Sequence, residues 1–195
     1  VENGMYREAF KLYADMQNVF PAKIREIYCF FVQKIIRSLD KEKIVDLLPL
    51  IATYKTSRVD DLIRSLIRYA ENLQSQISGA RILAKVACSI ARRNKAWAHQ
   101  IFEYLEERLS DIGPSKRTEA YAELASIVIK TEEKWGRRFI RKVLKQIDTL
   151  DPPTASKALM KIIKHVGEVP RDPLMNQLRM YALELIRDNS ARKDI

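Results

Sequence analysis

The chain has 195 residues, 47% of them hydrophobic and 31% charged, with a formal net charge of +10. That is enough apolar material for a sizeable core, and the length lies between one ordinary domain and two. Only 5 Gly and 7 Pro interrupt the chain, and no stretch alternates apolar and polar residues around β-branched runs, so strands are disfavoured and an all-α class is expected. No apolar run reaches the roughly 18 residues that a bilayer crossing takes, and the opening VENGMYREAF lacks a basic-then-apolar leader pattern. A cytoplasmic chain without a membrane partner is the expectation, and a start at Val1 reads as a fragment of something longer.

An internal repeat organises the rest. At an offset of 38, Ala84 falls on Ala122, Ala87 on Ala125, Trp97 on Trp135, Ile101 on Phe139, Leu105 on Val143, Leu109 on Ile147 and Pro114 on Pro152. The offset extends back from Ile82, Val86 and Trp97 to Ile44, Leu48 and Val59, and forward from Leu124, Val128 and Val143 to Ile162, Val166 and Tyr181. One further step back reaches Tyr6 and Phe10, with the second helix of that unit slipping by about one residue. Five units follow, near 3–40, 41–78, 79–116, 117–154 and 155–192, each a helix, a short loop and a second helix within a single domain spanning 1–195.

In chain order, the first unit holds the aromatic run IREIYCFFVQKII, apolar around most of its circumference, with Phe30 on the side otherwise made by Glu26, Gln33, Lys34 and Arg37. The second opens at Asp40, a candidate N-cap, and Ser57 is placed to cap its second helix. The third is preceded by Ser78 in the capping position and ends at Gly113-Pro114; the fourth has Thr131 as a cap for its second helix and ends at Asp151-Pro152-Pro153. The fifth begins after Thr154, again as a cap, and places Met175, Met180 and Leu183 outward, where a terminal unit should be polar. Those three and Phe30 are the exposed apolar contacts expected at the two ends, for further repeats, a dimer or a partner.

The spacing Ala84, Ala87, Ala98, Phe102, matched by Ala122, Ala125, Gly136, Ile140, resembles the small-residue pattern of tetratricopeptide repeats. The unit is longer than in that family, and its Leu-Gly pair and terminal Pro are mostly missing, so HEAT-like hairpins stand beside it as an alternative. The resemblance implies a right-handed superhelical solenoid in which the first helices line a concave groove. That groove would carry Lys43, Arg81, Lys85, Arg92, Lys130, Lys157 and Lys164, interrupted by Glu119 and Glu123. The family's Lys and Asn clamp for a C-terminal carboxylate is not matched, because Ala84, Cys88, Ala122 and Ser126 stand there.

A second basic surface lies in KWGRRFIRKVLKQ. At 100° per residue Trp135, Phe139, Ile140, Val143, Leu144 and Ile147 make one face, and Lys134, Arg137, Arg138, Arg141, Lys142 and Lys145 the opposite one. The matching outward positions one unit earlier are Ala96, His99, Gln100, Glu103, Tyr104 and Glu107, flanked by Glu106, so an acidic row is expected beside the basic one. Glu133 and Asp148 offer pairing within the helix. Each unit carries only one to three more cations than acids, a spread unlike the concentrated patch of a dedicated nucleic-acid domain.

Chemistry is sparsely signalled. His99 and His165 have no partner at metal-ligand spacing, Cys29 and Cys88 lie in apolar helical context, and no Gly-rich phosphate loop or nucleophile elbow is present. Glu106-Glu107 and Asp60-Asp61 are sequence neighbours, which a helix points apart. Trp97 and Trp135 are expected inside the core. Some HEAT-like proteins are DNA glycosylases, the enzymatic reading this resemblance implies, but Ile101 and Phe139 stand four residues beyond the tryptophans where a carboxylate is wanted. The expected function is a non-catalytic scaffold, without metal or cofactor, whose mildly basic groove binds an acidic peptide or protein segment. Nucleic-acid binding through the second basic surface is the alternative.

Overall fold

The computed structural model describes residues 2–16, 21–53, 57–166, 173–174, 176–180 and 183. All regular structure among them is helical: α1 (Glu2–Met16), α2 (Pro21–Ser38), α3 (Lys41–Ile51), α4 (Ser57–Glu71), α5 (Gln76–Ile90), α6 (Lys95–Ser110), α7 (Pro114–Val128), α8 (Glu133–Gln146), a 3₁₀ turn Ile147–Thr149, and α9 (Pro152–Val166). The chain divides into two compact units, Val1–Ile101 and Phe102–Ile195. The second half of the fifth sequence unit, Tyr181 included, falls largely outside the described residues.

The helices start where local chemistry says they should, but not always at the expected residue. Asp40 caps α3 as expected, its carboxylate accepting from the Lys43 amide at 2.9 Å. At α5 the cap is Ser75, whose extended backbone lets its hydroxyl accept from the Ser78 amide, so Ser78 is already helical. At α9 the carboxylate of Asp151 accepts from the Thr154 amide at 3.0 Å, and Thr154 likewise lies inside the helix. Thr131 does not cap α8, which begins after Glu132 without a side-chain cap, while Asn94 caps α6 through the Trp97 amide. Pro114, Pro152 and Pro153 open α7 and α9 instead of lying between units, because a proline's fixed φ suits the first helical turn and its missing N–H costs nothing there. Three first helices therefore begin at Gln76, Pro114 and Pro152, each three residues ahead of the expected unit boundary.

In the first unit α1 packs on α2 and α3, α2 on α3 and α4, and α3 and α4 on α5. Tyr28, Val32, Ile35, Ile44, Leu47, Leu48, Ile51, Ile63, Leu66 and Leu83 fill its core; burying each such side chain is worth about 1.5–3 kcal/mol. Tyr6 and Tyr13 pack their rings on Phe31 at 5.6 and 5.4 Å, and the Tyr28 hydroxyl donates to the Ile51 carbonyl. At Gly79 an added Cβ would lie 2.4 Å from the Ala70 carbonyl oxygen, so α5 meets the end of α4 at a distance that only glycine permits.

In the second unit α7 packs on α8 and α9. The predicted apolar face of α8 is inward: Trp135, Phe139, Ile140, Val143, Leu144 and Ile147 are all buried. Phe102 stacks on Trp135 at 5.2 Å and Tyr121 on Phe139 at 5.9 Å, joining α6, α7 and α8 through one aromatic cluster. Gly136 lets α8 touch the backbone of Ile129, where a Cβ would be 2.5 Å away. The buried Thr118 hydroxyl bonds to the Pro114 carbonyl and Gln146 Oε1, which satisfies its polar atom inside the core. Arg117 donates to the carbonyls of Ser110 and Ile112, closing the end of α6.

Candidate functional site

The basic face of α8 is real, and half of it is already engaged. Arg137 makes two bonds to Glu133 Oε1 at 2.8 and 2.6 Å, the i,i+4 pair expected from sequence. Arg138 forks onto both oxygens of Glu106, and Lys142 reaches the same carboxylate at 3.4 Å. One acid of α6, Glu106, expected on the flank of the acidic row, therefore reaches the basic row. Arg138 also lies over the Trp135 ring at 4.8 Å and Lys142 over Tyr121 at 5.3 Å, so both cations are held by ring faces as well as by charge. Asp148 makes no ion pair with Lys145.

What remains is Lys134, Arg141 and Lys145, all exposed and without an ion pair among the described residues. At spacings of seven and four they fall within about 40° of one another on the helix, one straight line of charge. Arg141 and Lys145 border a shallow cleft of about 360 Å³ with Leu144, Asp148 and Gln177.

The first-helix cations divide between the two units. In the first, Lys43 pairs with its own cap residue Asp40 at 3.3 Å and Lys85 on α5 with Asp46 on α3 at 2.6 Å; Arg81 is exposed on α5. In the second, Lys157 on α9 pairs with Glu119 on α7 at 2.9 Å, and Lys164 is exposed on α9. Lys161, absent from the sequence reading, pairs with Glu123 at 2.7 Å. Arg92 and Lys130 lie in the turns after α5 and α7, just past the helices on which they were expected. Glu119 and Glu123, read from sequence as interruptions of a basic row, are thus the counter-ions of Lys157 and Lys161. The hydrogen bond from Lys157 holds the Glu119 carboxyl below its ordinary range, and the same bond raises the Lys157 ammonium above its own.

Of the apolar contacts, Phe30 is 69% exposed, and Met180 and Leu183 are 57% and 54% exposed; Met175 lies outside the described residues. Met5, Leu12 and Ile27 are exposed in the first unit and Met160 in the second, none of them singled out from sequence. Cys29 and Cys88 are half-buried and not joined in a disulfide, and His99 is exposed, while the side chain of His165 lies outside the described residues. No group of three or more His, Cys, Asp and Glu among the described residues can hold a metal ion. No helix among the described residues is long and apolar enough to cross a membrane.

The tryptophans separate. Trp135 is buried as expected, whereas Trp97 is half-buried and borders an open cleft of about 700 Å³ between α4 and α6. The inward face of α6 is carried by Ala98, Ile101, Phe102 and Leu105, and Trp97, one residue before Ala98, has none of the ring contacts that enclose Trp135. The repeat match at Trp97 and Trp135 conceals this difference, because equivalent positions need not have equivalent neighbours. Compared with protein-family models, with characterised proteins and with solved structures, the chain matches none of them.

Proposed function

We propose that the chain is a non-catalytic scaffold, a solenoid of five tetratricopeptide-like or HEAT-like hairpins whose first-helix surface binds acidic protein segments. The observation that carries this reading is the succession of first helices. α1 packs on α3 and α3 on α5 in the first unit, α7 packs on α9 in the second, and Lys157–Glu119 and Lys161–Glu123 bridge residues 38 apart. Further support comes from burial: Ile44 and Ile82, Leu48 and Val86, Ala84 and Ala122, and Leu105 and Val143 are buried at both members of each matched pair. Three of the groove cations, Lys43, Lys85 and Lys157, sit in solvent-exposed ion pairs of the kind that contribute little to stability. An incoming carboxylate has little to displace there.

The test is an anisotropy titration of the purified chain with a fluorescein-labelled poly-glutamate peptide across a salt series. Saturable binding that weakens with salt and is lost on Arg81→Glu with Arg92→Glu supports the groove; binding indifferent to that pair of changes removes it.

A second reading, nucleic-acid binding along α8, is favoured by the alignment of Lys134, Arg141 and Lys145. It predicts micromolar binding of single-stranded or duplex oligonucleotide near 0.15 M salt. Charge reversal at those three would then flatten the log-affinity against log-salt slope by about three. Binding that vanishes by that salt in the unaltered chain leaves α8 a solvated face.

A further inference from the structure

The cleft between α4 and α6 lies wholly within the first unit, and none of its lining residues belongs to either basic surface. On the α4 side its lining residues run from Asp60 to Glu71, three turns or about 16 Å. Spread over that length, about 700 Å³ describes a narrow trough. Its shape suits an extended chain of about five residues at roughly 3.3 Å each, and suits a compact metabolite poorly.

The lining is graded. Ile63 and Ile90 are buried at the base, with Ile67 and the Trp97 indole half-buried above them. Arg64 and Arg68 stand exposed along the α4 rim. Arg68 has no ion pair among the described residues, and the link from Arg64 to Asp61 is long at 3.3 Å and exposed at both ends, the kind of pair that contributes about 0–1 kcal/mol. Asp60 is held by Arg93, whose side chain is only 12% exposed, so that pair serves as fixed wall and not as a free charge.

The facing rim offers amides. Gln100 is exposed, and Asn94 spends its side-chain oxygen on the Trp97 amide, leaving its NH₂ as a donor. Amides that donate and accept match a peptide main chain, which also does both. A phosphodiester backbone has acceptors alone and would leave the Gln100 side-chain carbonyl without a donor.

We infer that this cleft binds an extended protein segment, one apolar side chain of which rests on Trp97 and Ile67 while a neighbouring carboxylate is taken by Arg64 and Arg68. The inference goes beyond the groove reading and does not need it. It rests on the trough, its apolar floor and its two rim cations, carried by α4, the end of α5 with the turn after it, and the start of α6.

The experiment uses the full chain and a panel of fluorescein-labelled heptapeptides with a central Leu or Phe flanked by Glu, alongside counterparts flanked by Gln. The expected result is saturable binding of a Glu-flanked member at 0.05 M salt, weakened about tenfold by Arg64→Glu with Arg68→Glu and by Trp97→Ala, and unchanged by Arg81→Glu with Arg92→Glu. Trp97→Phe should restore most of the affinity lost in Trp97→Ala, and circular dichroism should show each variant folded. Equal affinity in the Arg64/Arg68 variant, loss confined to the Arg81/Arg92 variant, or no binding by any member overturns the inference. Loss confined to Arg81/Arg92 does so while sustaining the groove reading. Competition by single-stranded oligonucleotide that Arg64→Glu with Arg68→Glu abolishes would assign the cleft to nucleic acid instead.

Discussion

Lys157 and Glu119 stand 38 positions apart in sequence and 2.9 Å apart in space, the ammonium of α9 on the carboxylate of α7. The bond lowers the Glu119 carboxyl and raises the Lys157 ammonium relative to their ordinary values near 4.5 and 10.5. A lowered acid contributes stability that is present above its unfolded value and lost as pH falls through the folded one. A raised base contributes stability that is present below its unfolded value and lost as pH rises through the folded one. The pair's contribution should therefore be flat across neutral pH and fade below about 4.5 and above about 10.5. Urea unfolding of Glu119→Gln against the parent chain checks this: the difference between them should shrink as pH falls below about 4.5, and a difference that does not shrink at all on acidification would exclude the pair as its source.

The α7–α8 crossing should tolerate an added methyl group poorly. A Cβ on Gly136 would sit 2.5 Å from the Ile129 Cα, which belongs to the backbone and cannot rotate away. Alanine is the better helix former by about 1 kcal/mol, yet overpacking of this kind costs about 1–3 kcal/mol. Gly136→Ala is expected to lower stability by up to about 2 kcal/mol net, measured by denaturant midpoint at constant slope; an increase would show that the helices separate freely.

Glu106 is the hub of the α6–α8 ion network. Its side chain is only 10% exposed, with Arg138 and Lys142 both upon it. Glu106→Ala leaves two cations without their counter-ion, though both can turn to solvent, so the expected loss is about 1–2 kcal/mol, below the cost of a fully buried broken pair. A double-mutant cycle with Arg138→Ala isolates the interaction. Coupling near zero would mean that the Trp135 ring, and not Glu106, fixes Arg138.

Ser75 and Ser78 offer a direct check on where α5 starts. Ser75→Ala should cost about 1 kcal/mol, because the Ser78 amide loses its acceptor, while Ser78→Ala should be nearly silent. The reverse order would move the helix start to the position its sequence first suggests.

Much of the fold was legible because α-helical period and burial are the same information. The five apolar residues of α8, with Ile147 just past its end, face inward and the cations outward, as their spacing requires. Matched small and apolar positions such as Ala84 and Ala122 share one environment for the same reason. Helix starts were less legible, since Ser75 and Ser78 are equally good cap types and only backbone geometry chooses between them. The candidate sites were least legible. Glu119 and Glu123 read as breaks in a basic row until their Lys partners are seen on α9, and Trp97 reads as core until the space beside it is seen. Charge in a sequence counts cations; only the packing tells which are already answered.

The unlike settings of the two tryptophans give the molecule a pair of internal reporters. Trp135, enclosed by Phe102 and Phe139 beneath the Arg138 guanidinium, belongs to the second unit, and Trp97, open on one side to the trough, to the first. Their emission should differ in wavelength and in access to a neutral quencher such as acrylamide. A chain that melts as one body will lose both signals together, and one whose halves part company will lose them at different temperatures, without a label being attached.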